Sequence, residues 1–272
     1  MPGIHSIDFN DLVAESDDLG HVIHKETSKH GYVLIRNAHF GVLEGETLKQ
    51  KLLDFCKLFG SPILHSPMPD SYVWDIKTVQ NTKSNFVTHS ELAAEAELHT
   101  DSAFSNNPED CFCLYSIKKA DCNGGESLLL SMDDLLSELR KTKEGLRAEE
   151  QLRTKKYPFA VPSVFREGHK SQDKNLHAKD YILTEDSIRF RNDVIQRSLN
   201  IDPQLIDEDQ YEALDILQNI VDHSKGVKRL MLEVGDLIII NNKTMLHGRT
   251  AFEDPDRHLL RVRIRYNEKV AF

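Results

Sequence analysis

Sulfur chemistry is nearly absent from this 272-residue chain. Its four cysteines, Cys56, Cys111, Cys113 and Cys122, form no CxxC pair and no zinc-finger spacing. That excludes a thiolate-built metal site and a disulfide framework, and the thiols read as reduced. Cys111 and Cys113 fall on one face of a strand, where packing suits them better than a disulfide. Long apolar runs are missing too. Leu237-Ile238-Ile239-Ile240 is the most notable, far short of a membrane span. The opening Met1-Pro2-Gly3-Ile4-His5 lacks the basic-then-apolar order of a secretory signal. Positive charge is in deficit: 34 Lys and Arg against 44 Asp and Glu leave a formal charge of −10. A nucleic acid or an anionic membrane would favour a basic surface, so neither is expected as partner. The expectation is a cytoplasmic protein acting on a small molecule, with its oligomeric state left open.

A hydrophobic fraction of 39% beside 29% charged residues is enough for an ordinary buried core. No repeat, low-complexity tract or polar linker divides the chain, so residues 1–272 read as one domain. Residues 8–30 form a polar helical lead-in. Strands are expected at 31–36, 72–76, 110–117, 127–130, 187–191, 230–232, 236–241 and 259–266, from their β-branched and aromatic content. Helical spacing covers 46–59, which Gly60 ends, and 207–223. It also covers 132–153, with Ser131 as N-cap. Two irregular stretches, 61–97 and 157–191, could be lids over a site or plain surface loops. The order of elements points to a mainly β fold with flanking helices, antiparallel rather than regularly βαβ.

The chemistry gathers around Leu98-His99-Thr100-Asp101. Side chains two apart on an extended segment share a face, so His99 and Asp101 can meet at one metal ion. With 13 histidines in the chain, a His-x-Asp is a common coincidence. A third ligand, His247, would complete two histidines and one carboxylate, the donor set of non-haem Fe(II) oxygenases. Further on, the arginines at 257, 261, 263 and 265 share one strand face, opposite Leu260, Val262 and Ile264. Buried guanidinium groups are costly without anions, and they bind carboxylates as a fork. The same strand could instead face solvent and pair with surface acids.

Taken together, these residues resemble the Fe(II)/2-oxoglutarate-dependent oxygenases of the taurine dioxygenase and clavaminate synthase-like group. The resemblance is carried by Gly31-Tyr32-Val33-Leu34-Ile35-Arg36, Phe59-Gly60-Ser61-Pro62, Leu98-His99-Thr100-Asp101 and Gly124-Gly125-Glu126-Ser127. It continues through Val234-Gly235-Asp236, His247-Gly248-Arg249-Thr250-Ala251-Phe252 and Asp256-Arg257-His258-Leu259-Leu260-Arg261. It implies a double-stranded β-helix, or jelly roll, using Fe(II), 2-oxoglutarate as cosubstrate, and O₂. His99, Asp101 and His247 would hold the metal and form the catalytic centre. Arg257 would take the distal carboxylate of 2-oxoglutarate with help from the Ser127 hydroxyl, and Arg261 would take an anionic group of the substrate. The segment between His247 and Arg257 is shorter than in the clavaminate-like members, which leaves the two arginines exchangeable. Asp193, or an acid ahead of His99 such as Glu95, could hold an amine, so an amino acid or derivative is the expected substrate. Hydroxylation is the expected outcome, with desaturation and cyclisation open to the same oxidant. Two alternatives stay open: a Zn(II) hydrolase using the same three ligands, and a non-catalytic jelly-roll binding module.

Overall fold

Two β-sheets face one another in the computed structural model, which describes residues 4–15, 18–40, 43–64, 71–78, 92–122, 124–162, 165 and 176–267. The larger sheet runs β1 (Ser6–Asp8), β2 (Tyr32–Arg36), β11 (Leu237–Asn241), β6 (Cys111–Lys118), β13 (His258–Tyr266) and β3 (Gly60–Ile63). β4 (Trp74–Lys77) also pairs with β13. The smaller sheet runs β10 (Lys228–Leu230), β7 (Ser127–Ser131), β12 (Met245–Arg249) and β5 (Ala96–His99). Only β1 and β2 run parallel among these pairings. This is the mainly β jelly roll that the sequence predicts, with its sheets not closed into a barrel.

Alternation along each strand sets the layers. Leu34, Ile238, Ile240, Phe112, Leu129, Met245 and Leu259 fill the space between the sheets. Val33, Ile35, Leu237, Ile239, Leu260, Val262 and Ile264 point the other way. They pack under α1 (Phe9–Glu15), α2 (Leu19–His30) and α3 (Gly45–Cys56). The run Leu237-Ile238-Ile239-Ile240 is apolar throughout because both of its faces are covered. A third cluster packs α4 (Met132–Leu139), α5 (Lys143–Thr154), α6 (Asn192–Ile201) and α7 (Glu208–His223) onto the outer face of the smaller sheet.

Several sequence expectations need correction. The helix expected over 132–153 is two helices. Thr142 accepts a hydrogen bond from the Gly145 amide and caps α5. At Gly145 a Cβ would lie 1.9 Å from the Leu139 carbonyl oxygen, so only glycine lets the second helix start that close to the first. Residues 187–191 make a single bridge, Leu183 to Ile188, instead of a strand. α6, not anticipated, follows at once. The stretch 157–191 contains an antiparallel pair, β8 (Tyr157–Ala160) with β9 (His177–Asp180). The stretch 61–97 contributes β4, most of β3 and the start of β5 to the main sheets. The parts of the two lid candidates at 65–70, 79–91, 163–164 and 166–175 lie outside the described residues. Among the described residues, no helix is long and apolar enough to cross a membrane.

Candidate metal centre

β5 and β12 are antiparallel neighbours, and His99 and His247 are direct cross-strand partners. Met245 and His247 share the inner face of β12, while Leu98 and Leu246 pack outward under the helices. The two imidazoles therefore emerge together between the sheets, with ring centroids 4.5 Å apart. Just beyond, the register shifts between His247 and Arg249. A Cβ on Gly248 would stand 2.6 Å from the Ala96 carbonyl oxygen, so the close approach requires glycine.

Asp101 reaches the same point from a turn and not from the strand, which ends at His99. Thr100 points away and is locked to Phe190: its amide donates to the Phe190 carbonyl at 2.7 Å, and its hydroxyl accepts from the Phe190 amide at 3.0 Å. The Asp101 amide donates to Asn242 Oδ1 at 2.8 Å. Asn242 Nδ2 in turn donates to the carbonyls of Asp101 and Glu109, at 3.2 and 3.1 Å. Asn242 thus fixes the backbone from which the carboxylate projects.

The three side chains converge. His99 Nε2 lies 3.7 Å from one Asp101 oxygen and His247 Nε2 3.3 Å from the other. One ligand atom from each residue falls within 4.8 Å of the others. His99 Nδ1 donates to the Glu97 carbonyl at 2.7 Å, which leaves the Nε2 lone pair directed at the carboxylate. Burial, then the charges of His247 and Arg191, hold the His99 imidazole well below its ordinary value. Burial, followed by Arg191, pushes His247 down to about 3. Neutral imidazoles are the form that binds a divalent metal. Two nitrogens and a carboxylate, grouped on one side of a common point, fit an Fe(II) ion with further positions open.

Arg261, Arg263 and Arg265 of β13 turn inward rather than to solvent, whereas Arg257, expected on the same strand face, precedes the strand, which starts at His258 and shifts register before Leu259. Arg261 is buried, stacks on Phe112 at 4.5 Å and is ion-paired with Asp101. Phe112 also touches the His247 ring. Burial and the neighbouring Arg263 lower the Arg261 guanidinium to about 9. Glu109, 2% exposed, lies 3.9 Å from Arg261 and 3.8 Å from Arg263. Arg263 donates to the Leu64 carbonyl, and Arg265 binds Asn107. Arg257 is different: it is 6% exposed, and no acid pairs with it among the described residues. Burial, then Arg249, lower it to about 10. Phe252 lies under both guanidinium groups, at 4.7 Å from Arg249 and 5.1 Å from Arg257.

Ser127, buried at the start of β7, faces Arg249 across the ladder. The turn before it comes against Arg257: a Cβ on Gly125 would be 3.4 Å from Arg257 Nε. Asp193 sits in the first turn of α6, held by Arg191 at 2.9 Å. Both residues exert charge on His99, so this pair borders the centre. Glu95 is exposed ahead of β5, and no interaction connects it with the triad among the described residues. The structure therefore gathers His99, Asp101, His247 and Arg261, sets Asp193 near enough to act on His99, places Ser127 opposite Arg249 and the turn before it against Arg257, and leaves Glu95 outside. Asn242, Glu109 and the bracing role of Arg249 were not anticipated. Arg249 donates to the carbonyls of Leu92 and Ala94, both at 2.6 Å, and pins the segment leading into β5. No local spacing marks these residues; only the three-dimensional contacts do.

A family model described as taurine catabolism dioxygenase TauD, TfdA family, matches residues 2–263. Among solved structures, an asparagine oxygenase in complex with Fe(II), 3-hydroxyasparagine and succinate is 17% identical, with a TM-score of 0.68 over 94% of this chain and 78% of that one. The non-haem iron oxygenase OrfP, in complex with Fe and alpha-ketoglutaric acid, is 18% identical with a TM-score of 0.66, over 96% of this chain and 84% of that one. OrfP with Fe, succinate and a dihydroxy-L-Arg gives 18% identity and a TM-score of 0.67, over 95% and 85%. At these identities the likeness to the solved structures is one of fold.

Proposed function

The chain belongs to the TauD/TfdA family of dioxygenases, and on that premise we propose that it hydroxylates an unactivated C–H bond of a small anionic substrate, an amino acid or a derivative of one. Its class, a non-haem iron oxygenase dependent on 2-oxoglutarate, follows from the family and displaces the hydrolase and binding-module alternatives. Bound at the triad, Fe(II) with 2-oxoglutarate and O₂ supplies the oxidant that exchanges C–H for C–OH, with succinate and CO₂ as the other products.

The observation that carries the residue roles is the contrast between Arg261 and Arg257. An arginine buried without an acid is costly unless an anion meets it, and among the described residues Arg257 is buried with no paired acid. We assign it the far carboxylate of 2-oxoglutarate, with the Ser127 hydroxyl as a second donor. Arg261 touches the metal-ligand carboxylate itself, one side chain from the reacting region, and is assigned the substrate's anionic group. His99, Asp101 and His247 hold the metal, and Asn242 orients Asp101. Asp193, steadied by Arg191, is assigned the substrate amine. The wall formed by Phe112, which touches both His247 and Arg261, excludes water from the oxidant.

Succinate formation with Fe(II), 2-oxoglutarate and a panel of amino acids tests the substrate class. Stimulation by one or a few of them, with a product heavier by one oxygen, is the expected result. Stimulation by sulfonates or non-amino carboxylates alone would overturn the amino acid assignment.

A further inference from the structure

Outside the centre described above, one other cluster among the described residues brings metal-ligating atoms together: His5, Glu26 and His30. His5 lies just ahead of β1, and Glu26 and His30 stand one turn apart on α2. Both imidazoles aim at a single carboxylate oxygen. His5 Nε2 is 2.7 Å and His30 Nε2 3.6 Å from Glu26 Oε2. The rings lie nearly parallel, with centroids 4.2 Å apart and planes at 28°. One hydrogen bond to that oxygen would satisfy one ring only. His5 Nε2, itself buried, meets that oxygen as an ion-pair contact outside hydrogen-bond geometry. Two nitrogens and one oxygen converging in this way are redundant for hydrogen bonding, and they are what a shared cation needs.

The frame around the cluster is built. The His5 amide donates to the Tyr32 hydroxyl at 3.0 Å, and β1 pairs with β2 from Ser6 opposite Leu34 onward. α2 ends at His30 because Gly31 takes φ +76° and returns its amide to the Thr27 carbonyl at 2.9 Å. All three ligands are thus referred to the same strand, β2. Their side chains are 31%, 17% and 31% exposed for His5, Glu26 and His30, which leaves an ion a way in. The local field is not favourable to a cation: Lys29 and Lys228 act on His30 with the same sign. A hard ion held by charge, such as Mg²⁺ or Ca²⁺, would gain little here, whereas imidazole-binding Zn(II) gains directly from the donors.

We propose that His5, Glu26 and His30 form a second Zn(II) site that fastens the segment ahead of β1 to the end of α2. The ion takes one nitrogen from each imidazole and one Glu26 oxygen, and water completes a tetrahedron. The site is independent of the catalytic assignment.

The test is Zn(II) stoichiometry on the metal-free full-length chain, by equilibrium dialysis and elemental analysis. The wild type is expected to bind two ions, and His30→Ala, Glu26→Gln and His99→Ala one each. In the His99→Ala background, Zn(II) is expected to raise the melting temperature, and adding His30→Ala removes that rise. Matching circular dichroism of the metal-free variants separates lost ligands from lost fold, and Glu26→Gln keeps the side-chain volume. The proposal is overturned if the wild type binds one ion, or if His30→Ala and Glu26→Gln keep two. Two ions retained by His99→Ala but one by His30→Ala would uphold this site while contradicting the catalytic triad.

Discussion

Two clusters in this molecule carry the same donors, two imidazoles and a carboxylate, in different surroundings. His99 and His247 are fixed by a cross-strand register, and Asp101 by Asn242. Their side chains are 16%, 12% and 10% exposed, and the buried Arg261 pairs with Asp101. His5, Glu26 and His30 sit at a sheet edge, half open, with lysines nearby. The donor set alone says only that a transition metal can bind. What suits the first cluster to the proposed oxidation is its neighbourhood: ligands largely withdrawn from water and the Arg261 guanidinium set against Asp101. The second cluster is more open, with lysines and no arginine acting on it among the described residues, and suits an ion that holds chain segments together.

Substitutions can break this comparison, starting from the largest effect. His99→Ala should reduce Fe(II) binding and 2-oxoglutarate turnover to background, measured as succinate release. Arg257→Ala should raise the KM for 2-oxoglutarate by roughly 30-fold or more, since losing one partner of a desolvated charge pair costs about 2–5 kcal/mol. Arg261→Ala should instead act mainly on the prime substrate. The reverse order in a cosubstrate titration would mean that the two arginines exchange roles. Asn242→Ala removes a support and not a ligand, so iron affinity or turnover should fall by about 10–100-fold. His30→Ala should leave turnover unchanged.

Acid gives a further contrast. His247 has a folded-state value of about 3 against its ordinary 6.5. Between those limits the unfolded chain binds more protons than the folded one, so stability falls as pH drops from about 6.5 toward 3. The urea midpoint of the metal-free protein should therefore decline from pH 7 to pH 5, and less steeply in His247→Gln. An equal decline in the two proteins would contradict the burial argument.

Much of this arrangement can be read from local pattern. The inward arginines of β13 follow from period two, because Leu260, Val262 and Ile264 claim the helix-covered face. Ser131 caps α4 as its position predicts. What escapes is set by contacts distant in sequence. The meeting of His99 with His247 depends on the pairing of β5 with β12, nearly 150 residues apart. Asn242 and Glu109 join the centre through a backbone carbonyl and a buried charge, neither of which leaves a spacing. The break at residues 140–142 escapes for a different reason. Apolar spacing continues across it, and only Thr142 capping and the tight packing at Gly145 reveal two helices.

The most direct test of the central claim is spectroscopic. Anaerobic addition of Fe(II) and 2-oxoglutarate should give a visible metal-to-ligand charge-transfer band in the wild type. His99→Ala should give none, and Arg257→Ala should need far more 2-oxoglutarate to develop it. A band of full strength in His99→Ala would contradict the assignment of the iron to His99, Asp101 and His247.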